Sequence, residues 1–221
     1  MSATTIDFHQ LDCVGYLPVS GIRDTHDLLG LANSLGRLIP GPSGQLVKRL
    51  SIVPKDKGPL GTFSREFGRG SFPLHTDTAF WPRPACYLVM RASGDIRRTT
   101  TVLSFARLIQ YAGADIQEKI HRSAWVLSVP HKKQYCSMKI STNPETGYRY
   151  DPNCMLPANT EAVEIRNWLL CEDVQSLSVP HNWASDVALI ISNWTALHGR
   201  GANPPNEQER ILERIYVGET A

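Results

Sequence analysis

The segment Pro73-Leu74-His75-Thr76-Asp77-Thr78-Ala79 offers an imidazole and a carboxylate two positions apart. In an extended chain, residues i and i+2 project from one face with Cα atoms roughly 6–7 Å apart, so both side chains can converge on a single ion. On a helix they point apart. Pro73 before the pair and Pro82 and Pro84 after it disfavour a helix, which leaves His75 and Asp77 on a strand or strand end. A third donor is His198, in Leu189-Ile190-Ile191-Ser192-Asn193-Trp194-Thr195-Ala196-Leu197-His198-Gly199-Arg200. Two imidazoles and one carboxylate on one side of an ion leave the other positions open, a donor set suited to non-heme Fe(II). The plain alternative is that His75 and His198 are core histidines with satisfied hydrogen bonds. A chain with seven histidines holds chance neighbours such as His26-Asp27.

Such a site needs strands to carry it. Tyr87-Leu88-Val89-Met90 and Val187–Trp194 are continuous apolar runs, as in strands buried on both faces. Thr99–Leu103 is rich in β-branched residues, and residues 46–53 form another strand. The first 22 residues read as entry strands and loops. Residues 54–72 are rich in Gly, Pro and Ser and read as a loop shaping the approach to His75. Helices are expected from Asp24 or Thr25 to about Leu38, after a Ser104 cap, and over 160–173, where Ala162, Ile165, Trp168 and Leu169 form one stripe. Residues 122–150 hold two or three strands, with a turn at Gly147.

The last strand, Arg210-Ile211-Leu212-Glu213-Arg214-Ile215-Tyr216-Val217, alternates so that Arg210, Leu212, Arg214 and Tyr216 share a face. A return loop with Gly199, Gly201, Pro204 and Pro205 would make it a hairpin partner of residues 187–198 and bring Arg210 beside His198. Many short strands with few helices point to a mainly β fold with flanking helices, a double-sheet jelly roll forming one domain over residues 1–221.

Composition bounds the partners. Hydrophobic content of 42%, 20% charged residues and a net charge of +2 describe an ordinary globular protein. No Lys/Arg block argues for nucleic acid, and no apolar run is long enough for a membrane span. The five cysteines are odd in number and include no Cys-X-X-Cys pair. Neither a disulfide framework nor a structural zinc site is expected, which favours a reducing, cytoplasmic compartment. No signal peptide is apparent at the N-terminus. A homo-oligomer is compatible with the sequence.

An open Fe(II) can bind a 2-oxo acid through its keto oxygen and adjacent carboxylate. A dicarboxylate then needs a cation for its far end, and the planar fork of an arginine suits that task. Thr100 or Thr101 on a neighbouring strand can add a hydroxyl.

Taken together, Pro-Leu-His-Thr-Asp, the threonine before a Leu-Ser helix start, Leu-His-Gly-Arg and Arg-X-X-X-Arg resemble the taurine dioxygenase/TfdA-like Fe(II)/2-oxoglutarate-dependent dioxygenases. The resemblance covers residues 70–105 and 185–217. It implies a double-stranded β-helix of the cupin kind, with Fe(II) on His75, Asp77 and His198 and O₂ as oxidant. It also implies 2-oxoglutarate held by Arg210 with Thr101 or Thr100; Arg214 could exchange roles with Arg210. Arg214 otherwise meets an anionic substrate group, and Arg149 and Phe80 line the substrate pocket. The implied activity is hydroxylation of a C–H bond of a small anionic or amino-acid-like metabolite, with release of succinate and CO₂. Members that halogenate lack a carboxylate at the position of Asp77, so Asp77 favours hydroxylation. Two departures stand out: the interval from Asp77 to His198 is short, and Arg97-Arg98 precedes the threonines where Gly-Asp is usual. The alternatives are a non-catalytic jelly-roll binding module and a cupin-type metal-dependent isomerase or hydrolase.

Overall fold

The computed structural model describes residues 6–129, 132–141, 146–202, 204, 206 and 208–219. Pro205 and the first five residues lie outside this set. Asp7 accepts the Gln10 N–H and opens helix α1 (Phe8–Val14), which Gly15 closes at φ 87°. A Cβ on Gly15 would lie 2.5 Å from the Cβ of Ala196, so sterics and backbone both call for glycine. Strand β1 (Tyr16–Ser20) follows, then α2 (Thr25–Leu35), capped by Asp24 and burying Leu28, Leu31, Ala32 and Leu35. Next come β2 (Leu38–Ile39), β3 (Val47–Ser51), α3 (Phe63–Phe67), β4 (Phe72–His75), β5 (Tyr87–Gly94) and β6 (Thr100–Ser104). Ser104 caps α4 (Phe105–Tyr111) by accepting the Arg107 N–H. Then come α5 (Ala114–Arg122), β7 (Trp125–Val129), β8 (Lys132–Cys136), β9 (Lys139–Ser141), β10 (Thr146–Tyr148) and β11 (Met155–Pro157). Asn159 caps α6 (Thr160–Leu170). The chain ends with α7 (Glu172–Ser176), β12 (Val179–His181), β13 (Val187–Ser192), β14 (Ala196–Arg200) and β15 (Arg210–Val217).

The fold is mainly β. A six-stranded sheet runs β1-β13-β5-β15-β2, with β3 also paired to β15, and a four-stranded sheet runs β12-β6-β14-β4. Every pairing in both sheets is antiparallel. Leu88, Met90, Ala92, Leu189, Ile191 and Tyr216 of the larger sheet pack with Val102 and Ala196 of the smaller one in a single buried cluster. The two sheets therefore face each other. The far side of the larger sheet is covered by α1 and α2 through Leu11, Leu28, Leu31 and Leu35. The far side of the smaller sheet is covered through Leu74, Leu103 and Leu197 by α4–α7 and the strands β7 and β11. Leu189, Ile190 and Ile191 are fully buried, each contributing about 1.5–3 kcal/mol, as befits β13, an interior strand between β1 and β5.

Two expectations change. The last strand does not pair with residues 187–198; β15 lies between β5 and β3, with Arg210 opposite Gly94. The reason is that the 187–200 run divides at a turn. Its first half stays in the larger sheet as β13, and its second half crosses to the smaller sheet as β14 between β6 and β4. Arg210 thus faces the His198 strand from the opposite sheet rather than from a neighbouring strand. Secondly, α1 and α3 occupy stretches read as strand and loop. Both helices are short, and a run of about one or two turns leaves little periodicity to detect.

Candidate active site

His75 ends β4, and His198 lies directly opposite it on β14. Their ring centroids are 4.4 Å apart. Asp77 stands just past the strand end, with Oδ1 3.8 Å from His75 Nε2 and Oδ2 3.9 Å from His198 Nε2. One ligand atom from each of the three lies within 4.8 Å of the others. The Nδ1 of His75 is 2.9 Å from the Pro73 carbonyl. A carbonyl only accepts, so Nδ1 is the donor there and Nε2 is the nitrogen turned toward Asp77, where a metal would sit. The pairing of β14 with β4 slips between His198 and Arg200, and a Cβ on the intervening Gly199 would sit 2.8 Å from the Phe72 carbonyl. Glycine between the ligand and Arg200 is what permits the slip. Arg200 then turns back to the carbonyls of Gly68 and Gly70 and lies 3.5 Å over the Phe72 ring.

The backbone of Asp77 is fixed by one fully buried side chain. Asn193 accepts the Asp77 N–H at 2.9 Å and donates to the carbonyls of Asp77 at 2.9 Å and Ala85 at 2.8 Å. Immediately after, Thr78 adopts φ 56°, a conformation a β-branched residue rarely takes. It is held there by accepting the Ala85 N–H through Oγ1 at 2.9 Å. The Asp77 carboxylate is held from the opposite sheet. Arg214 donates to Oδ2 through Nη1, and the Tyr216 hydroxyl donates to the same oxygen at 3.5 Å.

Burial pushes the Asp77 carboxyl up, but the Arg214 guanidinium, aided by His198, His75 and Lys48, outweighs it and holds the group below its usual range. Burial and the neighbouring His75 push His198 down to about 3. The Asp77 carboxylate and the neutral His198 imidazole are in the protonation states that a divalent transition metal requires. The donor set and its separations therefore fit Fe(II).

The remaining sequence-derived residues divide. Arg210 and Arg214 both face the gap between the sheets, in rows with Gly94 and Met90. Arg210 is buried, and its Nη1 donates to the Arg98 carbonyl at 2.8 Å. In the smaller sheet Thr100 pairs with Arg200, Thr101 with Gly199 and Val102 with His198. Directly opposed residues share a face and parity alternates. Thr100 is thus on the His198 side of the sheet and Thr101 on the other. Arg149 is buried and spends its guanidinium on the carbonyls of Ala79, Trp81 and Pro82, so it clamps the segment after Asp77. Phe80 packs against the outer hydrophobic cluster. Trp81 meets Tyr216 edge-on at 5.7 Å.

Sequence reasoning missed four residues near the site. Lys48 on β3 sits directly opposite Arg214. Burial and Arg214 hold its ammonium below the usual range, while Asp77 pulls it up. Tyr216 contacts the Asp77 carboxylate. Phe63 of α3 lies 4.3 Å from the His75 ring. Asp151 accepts the Asn153 N–H at 2.8 Å in a tight turn. Burial raises its carboxyl, and the fields of His75 and Asp77 both reach it. A signal existed for Tyr216, which shares its parity with Arg214. None existed for Lys48, whose partner strand is distant in sequence.

No family model matches this sequence, and neither does any curated protein. Among solved structures, asparagine oxygenase in complex with Fe(II), 2S,3S-3-hydroxyasparagine and succinate superposes with TM-score 0.73 at 17% identity, over 95% of this chain and 76% of that one. The non-heme iron oxygenase OrfP in complex with Fe and α-ketoglutaric acid gives 0.70 at 18%, over 96% and 77%. PvcB of Pseudomonas aeruginosa gives 0.67 at 20%, over 92% and 75%; a second PvcB structure describes it as an Fe, α-ketoglutarate-dependent oxygenase from an isonitrile synthetic pathway. The chain has the fold of these oxygenases.

Proposed function

We propose that this protein is an Fe(II)/2-oxoglutarate-dependent dioxygenase that hydroxylates a C–H bond of a small amino-acid-like or anionic metabolite. In this reading residues 1–221 form one double-stranded β-helix domain of the jelly-roll kind. The observation that carries it is the convergence of His75, Asp77 and His198 on one point, faced across the sheets by Arg210 and Arg214. The three neighbours solved with iron, 2-oxoglutarate or succinate, or described as needing them, support the same assignment.

His75, Asp77 and His198 would hold the iron through one side, leaving the opposite positions for the co-substrate and O₂. Fe(II) with 2-oxoglutarate and O₂ supplies a C–H oxidant, with succinate and CO₂ as by-products. The protein residues position the reactants. Arg210 would grip the far carboxylate of 2-oxoglutarate, with the Thr100 hydroxyl beside it. Asn193 and Arg214 would keep Asp77 in one orientation, as partners behind a metal ligand do. Phe63 would shield His75 from water. Five free cysteines suit a reducing cytoplasm.

The test is direct. Anaerobic addition of Fe(II) and 2-oxoglutarate should give a visible metal-to-ligand charge-transfer band, and air should then yield succinate. His75→Ala and His198→Ala should each abolish the band. An absent band in the wild-type protein, or iron retained by His75→Ala, sinks the assignment.

A further inference from the structure

Lys48 and Arg214 are directly opposed on adjacent antiparallel strands. Two like charges in that arrangement repel, and a sheet that keeps them without a counter-ion loses stability. Arg214 is neutralised by Asp77. Lys48 is only partly exposed, and among the described residues its ammonium makes no hydrogen bond or ion pair. It shares the inward parity of Arg214, and its charge interacts with that of Asp77. The larger sheet therefore carries, near the candidate metal ligands, an ammonium whose only anionic neighbour is a carboxylate already paired with Arg214.

The co-substrate does not account for it. Arg210 and Arg214 are four residues apart on one strand, which separates their Cα atoms by roughly 13 Å. A dicarboxylate anchored at the iron with its tail on Arg210 leaves the Lys48 position to another molecule. We propose that Lys48 is a specificity-determining residue that seats an anionic group of the primary substrate, a carboxylate in an amino-acid-like molecule. This rests on the oxygenase reading above.

The experiment uses the anaerobic Fe(II)–2-oxoglutarate band as reporter. The probes are the proteinogenic L-amino acids, each beside its C-terminal amide. At least one acid should perturb the wild-type band, with its amide roughly 10-fold weaker or worse, as loss of a charge-assisted contact implies. Lys48→Met should weaken that acid by roughly 10- to 100-fold while the amide changes little, and Lys48→Arg should recover most of the loss. Titration of 2-oxoglutarate should give the same midpoint in all three proteins. The proposal is overturned if no acid perturbs the band, if acid and amide bind alike, or if Lys48→Met binds the acid as wild type does. It is also overturned if Lys48→Met weakens 2-oxoglutarate instead, since Lys48 then belongs to the co-substrate. A wild-type protein that forms no band at all removes the oxygenase reading first, which is a separate outcome.

Discussion

Arg214 reaches from β15 across the gap between the sheets and donates to Oδ2 of Asp77 on the opposite wall. Both side chains are largely withdrawn from water, at 14% and 12% exposure. In the metal-free protein this guanidinium is the main charge that compensates the Asp77 carboxylate.

Removing Arg214 should therefore hurt most before iron arrives. Arg214→Ala strands a buried carboxylate, at a cost of about 3–5 kcal/mol. A bound divalent ion replaces the missing positive charge. Thermal unfolding of wild type and variant, each with and without Fe(II) under anaerobic conditions, should show a large gap without the metal and a clearly smaller one with it. An unchanged gap would mean that Arg214 acts through packing alone.

Strand parity separates two adjacent threonines. Thr100 lies on the His198 side of its sheet and Thr101 on the reverse. Thr100→Val should weaken 2-oxoglutarate by about 1 kcal/mol, a several-fold rise in Kd. Thr101→Val should leave it within a factor of two or so. The charge-transfer titration reads both, and the opposite ranking would place the co-substrate elsewhere.

Asn193 makes three hydrogen bonds around Asp77 from a fully buried position. Asn193→Ala leaves one buried N–H and two carbonyls to find other partners, each unmet group costing about 1–3 kcal/mol. Asn193→Asp keeps the acceptor for the Asp77 N–H but sets an oxygen against two carbonyls. Both variants should lose iron affinity as well as stability. Equilibrium iron binding on protein shown to be folded by circular dichroism distinguishes this from simple unfolding; full affinity in a folded variant would count against the role.

Glu213 gives a pH signature. Burial pushes its carboxyl up, but hydrogen bonds from Thr25 and Arg91, with Arg49 behind them, outweigh this and hold it below the ordinary value of 4.5. A carboxyl lowered on folding stabilises the protein above its unfolded pKa, and that stability is lost as pH falls through the folded pKa. Wild-type stability should thus drop on acidification below about pH 4.5, and Glu213→Gln should start lower and drop less. Denaturant midpoints across pH 3–7 check this; parallel curves would remove Glu213 from the acid response.

The pairing of His75 with Asp77 was legible because the signal was local. His75 and Asp77 are two residues apart, and the glycine and arginine after His198 mark an irregular strand that the structure explains through a slipped pairing. The inward face of β15 was legible for the same reason, as alternation needs only one strand. What each strand pairs with was not legible. The turn that sends β14 to the other sheet occupies residues 193–195 of an otherwise strand-like run, and no propensity distinguishes a strand that continues from one that crosses. Lys48 was hidden by that same lack of register. Arg149 read as a pocket residue, because nothing in Gly147–Asn153 announces three carbonyls waiting at Ala79, Trp81 and Pro82.

The crossing of one strand run between the sheets has a further consequence. The candidate donors His75, Asp77 and His198 all stand on or beside the four-stranded wall, while Arg210, Arg214 and Lys48 stand on the six-stranded wall. If the proposed roles hold, reactivity and selectivity are written on separate surfaces. Exchanging a side chain on β3 would then alter which molecule is admitted while the coordination chemistry opposite stays intact, and such a scaffold could diverge toward new substrates one strand at a time.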